Sequence, residues 1–424
     1  MRTTDEIVSV SFDRFPSAKG AATHIDAFAR ALGREFGNVR LVTIPPLPDA
    51  VTGETPVWEA LGVTHCPLSA EGPALFERVI AYRSQVWNWW KREFGSQDRR
   101  PRVAHVRSIY EGYPIASRKS EFCEQLIYEV NGLPSVELKY HYPNVADDRE
   151  LLHKLRSQEQ ACLTAADLIL TVSQVNLRHL VSRGADPEKI RVIPNGVDLD
   201  QFPYQMPRSS ARTTTAGDEG TQTDRGDGDE QPVRMLYVGT LSAWQGVTQA
   251  IEALALYQRD WPATLTIAGP VRNRERKSLE KLAWNQRVCE AIHLTGPVSK
   301  DELAGLYHDA HVVVAPLTRN DRNCDQGCCP LKVLEALAAG TPLIASDLEV
   351  VRELCRNDEH ALLVRPGSGK SIKDAMLRLR SDPTLGLRLS QAGRCHVEQR
   401  FGWDAAQQAL IGAYADLMNL PSST

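Results

Sequence analysis

The sequence predicts an α/β protein built from two Rossmann-like domains, and three observations support this. Short apolar runs alternate with helical patterns in both halves, which is typical of parallel sheets covered by helices. The length of 424 residues exceeds the usual size of one domain. Pro207 to Pro232 contains no large apolar residue and interrupts the alternation near the midpoint. We therefore expect domains over 1–205 and 233–402, joined by a flexible linker or insertion over 206–232.

The overall composition narrows the class of protein. Apolar residues make up 42% and charged residues 24% of the chain, as in ordinary soluble proteins. The net charge of −4 gives no basis for binding nucleic acid. The chain has no long apolar run, and its N-terminus lacks the apolar core of a signal peptide. We therefore expect a cytoplasmic protein without a transmembrane helix.

The nine cysteines are scattered and odd in number, which favours reduced thiols over a disulfide framework. Cys324, Cys328 and Cys329 lie close together, so a metal site is one interpretation. We favour small apolar filling of a tight loop, because no histidine or second cysteine pair with zinc-like spacing lies nearby. The sequence predicts neither a metal site nor a cofactor.

The first half opens with a β/α unit. Ile7 to Phe12 is a predicted strand, a helix begins at about Gly20, and Val39 to Ile44 is the next strand. The loop between the first strand and the helix lies where α/β sheets bind ligands. Gly20 fits either a close approach of backbone to a phosphate or a plain turn.

Polar residues follow two later strands of this half. Val103 to Arg107 ends in an arginine, and Gln125 to Val130 is followed by Asn131 and Gly132. We expect these residues to lie near a ligand cleft, because loops at strand ends carry function. His24 lies one turn into the first helix, where packing explains it about as well as a site does.

A helix predicted over Leu75 to Phe94 ends in WNWWKREF, followed by further arginines. Trp87, Trp89 and Trp90 cannot all lie on one buried face. One interpretation is contact with a membrane surface or an anionic acceptor. The interpretation that we favour is a half-buried helix with a solvated basic end.

The second half alternates more cleanly between strands and helices. Its predicted strands are 234–239, 264–268, 291–295, 311–315, 342–346 and 361–364. The loops after the first three contain Gly239-Thr240, Gly269-Pro270 and Gly296-Pro297-Val298. Because the strands are predicted to be parallel, these loops should gather at one edge of the sheet.

Cys324 to Asp347 is predicted to form loop, helix, turn and strand, with the helix over about 330–339 and Gly340 capping it. Lys332 and Glu335 lie three residues apart and share one face of this otherwise apolar helix. A helix that begins at a glycine-containing loop suits an anionic ligand, whose phosphate would face the N-terminus. The alternative is an exposed salt-bridged stripe on an ordinary helix.

Several stretches together resemble the retaining glycosyltransferases of family 4. They are IRVIPNGVDLDQF, ADLILTVS, VLEALAAGTPLIASD with Glu353 downstream, and RFGW, so the resemblance runs from the PSAKG loop to Trp403. It implies the GT-B fold, in which two Rossmann-like domains face each other across a cleft. It also implies a nucleotide-sugar donor on the C-terminal domain, an acceptor on the N-terminal domain, and retention of anomeric configuration without a metal ion. A closing helix, 403–424, should pack back toward the first domain.

The resemblance also assigns roles to particular residues. Glu335 matches the second glutamate of the family's pair and would accept hydrogen bonds from the donor's ribose. Gly20 would lie beside the donor phosphates, and Gly296 and Val298 would meet the base. Three residues of the PNGVD motif would shape the cleft: Asn195, Gly196 and Asp198.

Five positions depart from the family pattern. Gly327 replaces the first glutamate, Thr240 and Gln245 replace the basic pair that holds the diphosphate, and Asn131 replaces a histidine. Lys19 replaces a glycine of the first loop.

Departure of a diphosphate requires positive charge, although its source can move. The candidate cations are Lys332, Lys19, Arg319 and Arg322, and we favour Lys332. The leaving phosphate oxygen itself could take the acceptor proton, so no protein base is required. Trp244 is expected either to flank the donor or to anchor a buried loop.

The predicted site has three groups of residues. The catalytic residues are Lys332 and Glu335. The donor-binding residues are Gly20, Lys19, Gly239, Thr240, Gln245, Gly296, Val298, Gly327, Pro330 and Leu331. The residues on the acceptor side of the cleft are His24, Arg107, Asn131 and Gly132.

We therefore expect a glycosyltransferase that moves a sugar from a nucleotide-sugar to a lipid, saccharide or other glycoconjugate acceptor. It would work in the cytoplasm, with peripheral contact to the inner face of the membrane as a further hypothesis. One alternative is a degenerate nucleotide-sugar-binding partner subunit, on the strength of Thr240, Gln245 and Gly327. Another is an epimerase or hydrolase of the same fold, which would need an additional acid/base pair.

Overall fold

A computed structural model describes residues 2–17, 20–46, 58–95, 99–208 and 231–419. The chain forms two compact units. Unit 1 comprises Met1–Gly196, Asn320–Leu331 and Phe401–Thr424, and unit 2 comprises Val197–Arg319 and Lys332–Arg400. Most of the predicted linker, 209–230, lies outside the described residues, as does Lys19.

Unit 1 contains a seven-stranded parallel sheet in the order β3-β2-β1-β4-β5-β6-β7. Its strands are β1 (Arg2–Arg14), β2 (Val39–Ile44), β3 (Val63–Pro67), β4 (Arg99–Val106), β5 (Gln125–Val130), β6 (Leu168–Thr171) and β7 (Ile190–Val192). Its helices within the first half are α1 (Gly20–Phe36), α2 (Leu75–Glu93), α3 (Ile109–Ser117), α4 (Lys119–Phe122), α5 (Pro134–His141), α6 (Arg149–Ala165) and α7 (Gln174–Ser182).

Unit 2 contains a six-stranded parallel sheet in the order β10-β9-β8-β11-β12-β13. Its strands are β8 (Val233–Val238), β9 (Ala263–Ala268), β10 (Ile292–Gly296), β11 (Val312–Ala315), β12 (Leu343–Ser346) and β13 (Leu362–Val364). Its helices are α8 (Val247–Tyr257), α9 (Asn273–Gln286), α10 (Lys300–Asp309), α11 (Leu331–Ala339, whose first residue belongs to unit 1), α12 (Glu349–Arg352), α13 (Gly369–Ser381) and α14 (Pro383–Arg400). The chain ends in α15 (Trp403–Met418), which belongs to unit 1.

Both faces of the unit 1 sheet are covered by apolar cores. On β1, Val8 and Val10 pack into one core and Ile7 into the other, because successive side chains of a strand point to opposite faces. The second core includes Leu410 and Tyr414 of α15. Ser9 and Ser11, which alternate with the apolar residues of β1, are buried as well, so neither face of this part of the strand is open to solvent.

The two parallel sheets confirm the predicted fold class. The central strands follow the sequence prediction within a few residues, except that β1 begins at Arg2 rather than Ile7. The sequence analysis missed β3, an edge strand with a partly exposed sequence, VTHCP. It also missed α3, whose interior Pro114 disguises the helical pattern. The tryptophans of α2 divide as expected, with Trp89 and Trp90 in the core and Trp87 only partly buried.

Candidate functional site

Three glycines lie together at one edge of the unit 2 sheet. Gly239 follows β8, Gly269 follows β9, and Gly296 ends β10. The Gly239 amide donates to the Ala268 carbonyl at 2.9 Å, and the Gly269 amide donates to the Gly296 carbonyl at 2.8 Å. A Cβ on Gly269 would lie 2.3 Å from the Gly239 carbonyl oxygen, so this backbone packing requires glycine. This edge of the sheet is therefore formed by backbone atoms without side chains, as expected from the glycines of the predicted loops.

Lys332 is a buried cation at this edge. Its side chain lies on α11, and the residue is only 6% exposed. Its Nζ donates to Gln245 Oε1 at 2.7 Å and lies 4.2 Å from the centroid of the Tyr237 ring. A Cβ on Gly239 would approach Nζ to 3.0 Å. The structure therefore brings Lys332, Gln245 and Gly239 together across a long separation in sequence.

Gln245 has a structural reason to be uncharged. A lysine at this position would place a second ammonium group beside Lys332, whereas the glutamine amide oxygen accepts its hydrogen bond. The loop that carries Gln245 is held in place by neighbouring contacts. Tyr237 donates its hydroxyl to the Thr240 carbonyl at 2.5 Å, and the Thr318 amide donates to the Trp244 carbonyl at 3.0 Å. Trp244 is buried, so it anchors the loop, which was one of its two predicted roles.

Glu335 lies one helical turn after Lys332. Its Oε2 accepts a hydrogen bond from the Tyr307 hydroxyl at 2.7 Å. Burial raises the pKa of Glu335, while the Tyr307 hydroxyl and the Lys332 ammonium act in the opposite direction. Lys332 and Glu335 thus do not form an exposed stripe, and that alternative is wrong because the lysine is buried.

Two further predicted residues of unit 2 lie at loop ends. Val298 lies between β10 and Ser299, which caps α10 by accepting from the Glu302 amide. Arg319 is exposed after the loop that follows β11. The roles predicted for Val298 and Arg319 stay predictions.

In unit 1, four side chains converge on the buried carboxylate of Glu129, which is 2% exposed. Arg107 Nε donates to Glu129 Oε1 at 3.0 Å, and the Asn131 amide also donates to Oε1. The Nε2 atoms of His24 and His105 each lie 3.0 Å from a Glu129 oxygen, at ion-pair distance but off the hydrogen-bond direction. Burial alone would raise the pKa of Glu129, yet Arg107 and the histidines hold that pKa well below its usual range.

The hydrogen bonds of Asn195 determine where His24 carries a proton. Asn195 Nδ2 donates to the Cys329 carbonyl at 2.8 Å, so its Oδ1 is the atom that faces His24 Nδ1, also at 2.8 Å. Because Oδ1 only accepts, Nδ1 must be the donor. His24 therefore donates to Asn195 through Nδ1 and lies with Nε2 3.0 Å from the Glu129 carboxylate, so it belongs to the Glu129 cluster.

The segment 320–331 packs within unit 1 and explains why Gly327 is a glycine. Gly327 has φ +86°, and a Cβ there would lie 2.8 Å from both the Asn176 amide nitrogen and Ser173 Oγ. Gln326 supports the same turn, because its Oε1 accepts from the Leu133 amide at 2.9 Å. A glutamate side chain cannot be accommodated at position 327 in this backbone conformation.

Arg322 is not an available cation, which corrects its place among the candidates. Its Nε lies 2.9 Å from Glu137 Oε1, and its Nη1 donates to the Gly327 carbonyl at 3.0 Å. Glu137 also covers Gly132, where a Cβ would lie 2.3 Å from a carboxylate oxygen. Arg322 thus holds the segment 320–331 in place.

Gly20 packs against the start of α11. A Cβ there would lie 2.8 Å from Leu331 Cδ1, so a larger residue would collide with the leucine. Pro330 immediately precedes α11. The contact gives Gly20 a packing role, while the phosphate contact that the resemblance implied stays a prediction.

The sequence analysis missed the partners of several predicted residues. Tyr237 and Tyr307 hold Lys332 and Glu335, and the Tyr414 hydroxyl lies 2.7 Å from His105 Nδ1. The only local signal was for Tyr237, which lies two residues before Gly239 on a buried strand. Among the described residues, no three His, Cys, Asp or Glu side chains are gathered as metal ligands, Cys324 to Cys329 included.

Comparisons with known proteins agree with this architecture. Residues 18–201 match the family model described as Glycosyltransferase Family 4, and residues 221–396 match the model described as Glycosyl transferases group 1. The glycogen synthase of Mycobacterium tuberculosis H37Rv is 30% identical over 317 residues, covering 74% of this chain and 69% of that protein. The D-inositol 3-phosphate glycosyltransferase of Xylanimonas cellulosilytica is 29% identical over 261 residues, covering 61% of this chain and 58% of that protein. The chain thus spans less than two thirds of the length of that relative.

Solved structures resemble the whole chain. Sucrose-phosphate synthase from Thermosynechococcus elongatus has a TM-score of 0.73 at 20% identity, covering 98% of this chain and 99% of that one. The Anabaena protein HepE in complex with UDP and glucose has a TM-score of 0.69 at 13% identity, covering 97% and 100%.

The two parallel sheets and these structural neighbours define a protein of the GT-B fold class. The matched family models and the mycobacterial relative specify the family more closely: the chain belongs to the family 4 glycosyltransferases.

Proposed function

We propose that this protein transfers a sugar from a nucleotide-sugar to a lipid, saccharide or other glycoconjugate acceptor, with retention of configuration and without a metal ion. The observation that carries the proposal is the buried ammonium of Lys332 beside the three-glycine edge of unit 2. Bare backbone lets a diphosphate approach closely, and a desolvated cation stabilises the charge that develops as it leaves. The named activities of the family relatives support the same class of reaction.

Within this proposal, Lys332 supplies the positive charge that the family pattern places at positions 240 and 245. Gln245 holds the Nζ atom in place without competing with an anion, because it is neutral. Glu335 would accept from the donor's ribose with the oxygen that Tyr307 does not occupy. Nucleotide binding is further supported by HepE, which was crystallised with UDP and with UDP-glucose.

The acceptor is assigned to unit 1 on the strength of the family resemblance. His24, Arg107 and Asn131 all contact Glu129. We therefore assign them a structural role in this cluster rather than direct contacts with the acceptor. Glu129 itself is a poor general base, because the surrounding cations favour its ionised form. Deprotonation of the acceptor is therefore left to the leaving phosphate oxygen.

A cytoplasmic location with peripheral membrane contact completes the proposal. Within the described residues, no helix is both long and apolar enough to cross a bilayer. Helix α2 exposes Ile80 at 64% and Phe76 at 39%, and its last turn contains Lys91 and Arg92. Exposed apolar residues followed by basic ones suit contact with an anionic bilayer surface.

A thermal-shift screen tests the donor site. The full chain is heated with UDP-, GDP-, ADP- and dTDP-sugars in EDTA, alongside Lys332→Ala and Glu335→Ala. Since a ligand that binds the folded state stabilises it, one nucleotide class should raise the melting temperature of the wild type. The shift should disappear in Lys332→Ala and shrink in Glu335→Ala.

Two outcomes would contradict the proposal: no shift with any donor, or a shift that survives both substitutions. The alternative of a degenerate binding subunit predicts binding without transfer. A sugar-transfer assay with the shifting donor separates it from an active enzyme. The departures that suggested degeneracy now have structural explanations in the contacts of Gln245 and Gly327, so we do not favour that alternative.

A further inference from the structure

A cavity lies in unit 1, between α2, α3 and the short helix α4. Its volume is about 300 Å³. Its apolar wall includes Trp87, Ile115 and Phe122, and its polar lining includes Arg83, Glu111 and Arg118. The cavity is separate from the Glu129 cluster, since none of the side chains of that cluster lines it.

Two cations lie over the Trp87 ring: Arg118, which lines the cavity, and Lys91, which does not. Arg118 Cζ lies 4.1 Å from the centroid of the Trp87 ring, and Lys91 Nζ lies 4.5 Å from the same centroid. Within the part of the chain that the structure describes, neither side chain forms an ion pair or a hydrogen bond. Cation–π attraction places both charges at the ring, but it does not neutralise them. The arrangement leaves a concentration of positive charge that an anion would balance.

The cavity also contains a buried carboxyl oxygen without a partner. Glu111 is 2% exposed, and its Oε1 accepts from the amides of Arg107 at 2.9 Å and Ser108 at 2.7 Å. Its Oε2 is buried and has no hydrogen-bond partner among the residues that the structure describes. Burial raises the pKa of Glu111 to about 8, so near neutral pH the carboxyl group is largely protonated. Oε2 is then an unused O–H donor rather than a repelling charge.

Arg83 lines the cavity, but its side chain already donates hydrogen bonds to backbone carbonyls. Pro114 lacks an N–H group, which leaves the Tyr110 carbonyl without its helical donor. Arg83 Nε fills that role by donating to the Tyr110 carbonyl at 2.6 Å, and its Nη2 donates to the Ile109 carbonyl at 2.8 Å. The lining groups left to bind a ligand are therefore Arg118 and the Glu111 carboxyl.

We propose that this cavity binds a phosphate monoester, with Arg118 facing the phosphate, Lys91 adding positive charge from the Trp87 ring, Glu111 donating to the phosphate, and Trp87, Ile115 and Phe122 packing against its organic body. A phosphate monoester carries a charge of about −1.5 to −2 near neutral pH. It therefore balances two cations better than a ligand with one carboxylate would. Its three terminal oxygens accept from several donors at once. The cavity has room for a small organic group beside the phosphate.

The phosphate monoester could belong to a soluble metabolite or to a lipid headgroup, and the experiment has one arm for each. The soluble probe is glycerol 3-phosphate, titrated calorimetrically into the full-length chain. The lipid probes are phosphatidylcholine vesicles containing either phosphatidic acid, which is a monoester, or phosphatidylglycerol, which is a diester with a single negative charge. Arg118→Gln is the test variant, and Arg156→Gln is the matched control. Arg156 is an exposed arginine of α6 without a side-chain partner among the described residues.

The proposal predicts that at least one monoester probe binds the wild type, and that Arg118→Gln weakens this binding by about tenfold. Arg156→Gln should leave it unchanged. Binding of glycerol 3-phosphate identifies a soluble ligand, whereas binding confined to phosphatidic acid vesicles identifies a headgroup. Glu111→Gln should bind as the wild type does, because its amide oxygen keeps the backbone contacts of Oε1 and its N–H replaces the O–H donor. Circular dichroism confirms that each variant is folded.

Three results would overturn the proposal. The first is the absence of binding to any monoester probe. The second is binding that Arg118→Gln does not change, which would place the phosphate elsewhere, for instance at Lys332. The third is an equal loss in both arginine variants or an equal affinity for phosphatidylglycerol, since either would indicate general charge attraction. None of these readouts depends on sugar transfer, so the cavity and the proposed activity can fail independently.

Discussion

The two units treat buried charge in opposite ways. In unit 1, Arg107, His24 and His105 converge on the carboxylate of Glu129, so opposite charges meet inside the protein. In unit 2, the Lys332 ammonium bonds to a neutral amide and lies over a neutral ring. A cluster in which opposite charges already meet stabilises structure, whereas an ammonium group that donates to a neutral amide, with Glu335 one helical turn away, keeps attraction for an anionic ligand. The comparison separates a scaffold from a binding site.

Removing the central charge of the scaffold should have the largest effect. Glu129→Gln leaves Arg107 and His24 buried beside a neutral amide, and breaking a buried ion pair on one side costs about 3–5 kcal/mol. Urea denaturation should show this loss in the free energy of unfolding. Glu335→Gln is the matched control, and it should change stability by less than about 1 kcal/mol because Tyr307 can still donate to its amide oxygen. Similar losses in the two variants would remove the contrast between the units.

The reverse pattern is expected at Lys332. Lys332→Gln should change the free energy of unfolding by no more than about 1 kcal/mol, because the variant removes a desolvated charge. It should weaken binding of the nucleotide-sugar by about 100-fold, since a charge-assisted contact to the diphosphate is lost. Calorimetric titration and urea denaturation of the same preparation measure both quantities. A variant that is strongly destabilised but binds normally would assign Lys332 to the scaffold.

Restoring the family residue at position 327 should harm the protein. Gly327→Glu requires a left-handed backbone and a Cβ 2.8 Å from Ser173 Oγ, so we expect a loss of about 2 kcal/mol or more in stability. Gly367→Glu is the control, because Gly367 also has a positive φ but a Cβ there meets nothing within 4 Å. Its loss should be about 1 kcal/mol. If Gly327→Glu left the stability unchanged and raised the activity, the natural glycine would represent the loss of a functional glutamate rather than an adaptation of the loop.

A smaller, pH-dependent effect is expected from Glu111. Burial raises the pKa of the Glu111 carboxyl group to about 8 in the folded protein. This group therefore contributes stability that is fully present at pH values below its pKa in the unfolded chain. That stability is lost as the pH rises through about 8. Glu111→Gln lacks this titration. Its stability relative to the wild type should therefore increase between pH 5 and pH 9, by on the order of 2 kcal/mol. Denaturation series at several pH values measure the difference, and parallel curves would show that Glu111 does not titrate abnormally.

The sequence predicted most of the fold because the central strands are buried on both faces. Leu126, Ile127 and Tyr128 form an unbroken apolar run, and the strand predicted around them, Gln125–Val130, coincides with β5. Edge strand β3 escaped prediction because one face is partly exposed and its residues lack a clear period. Helix α3 escaped because proline and glycine interrupt it.

The sequence predicted the site less completely than the fold. Lys332 was identified from its position on an apolar helix, but Gln245, its hydrogen-bond partner, lies 87 residues earlier in the chain. The constraint on Gly327 comes from Ser173 and Asn176, which are also distant in sequence. Such contacts depend on how elements pack, which local periodicity does not encode. A departure from a family pattern can therefore be recognised in the sequence, while its reason becomes visible only in the structure.

The measurement that tests the central claim most directly is a charge swap between Lys332 and Gln245. Binding of the donor nucleotide that the thermal screen selects is titrated with the wild type, Lys332→Gln, Gln245→Lys and the double variant Lys332→Gln/Gln245→Lys. If a cation at this edge of unit 2 holds the diphosphate, Lys332→Gln should lose about 100-fold in affinity, and the double variant should recover a substantial part of that loss. A double variant that binds as poorly as Lys332→Gln, while remaining folded, would contradict the claim that the charge has moved from one position to the other.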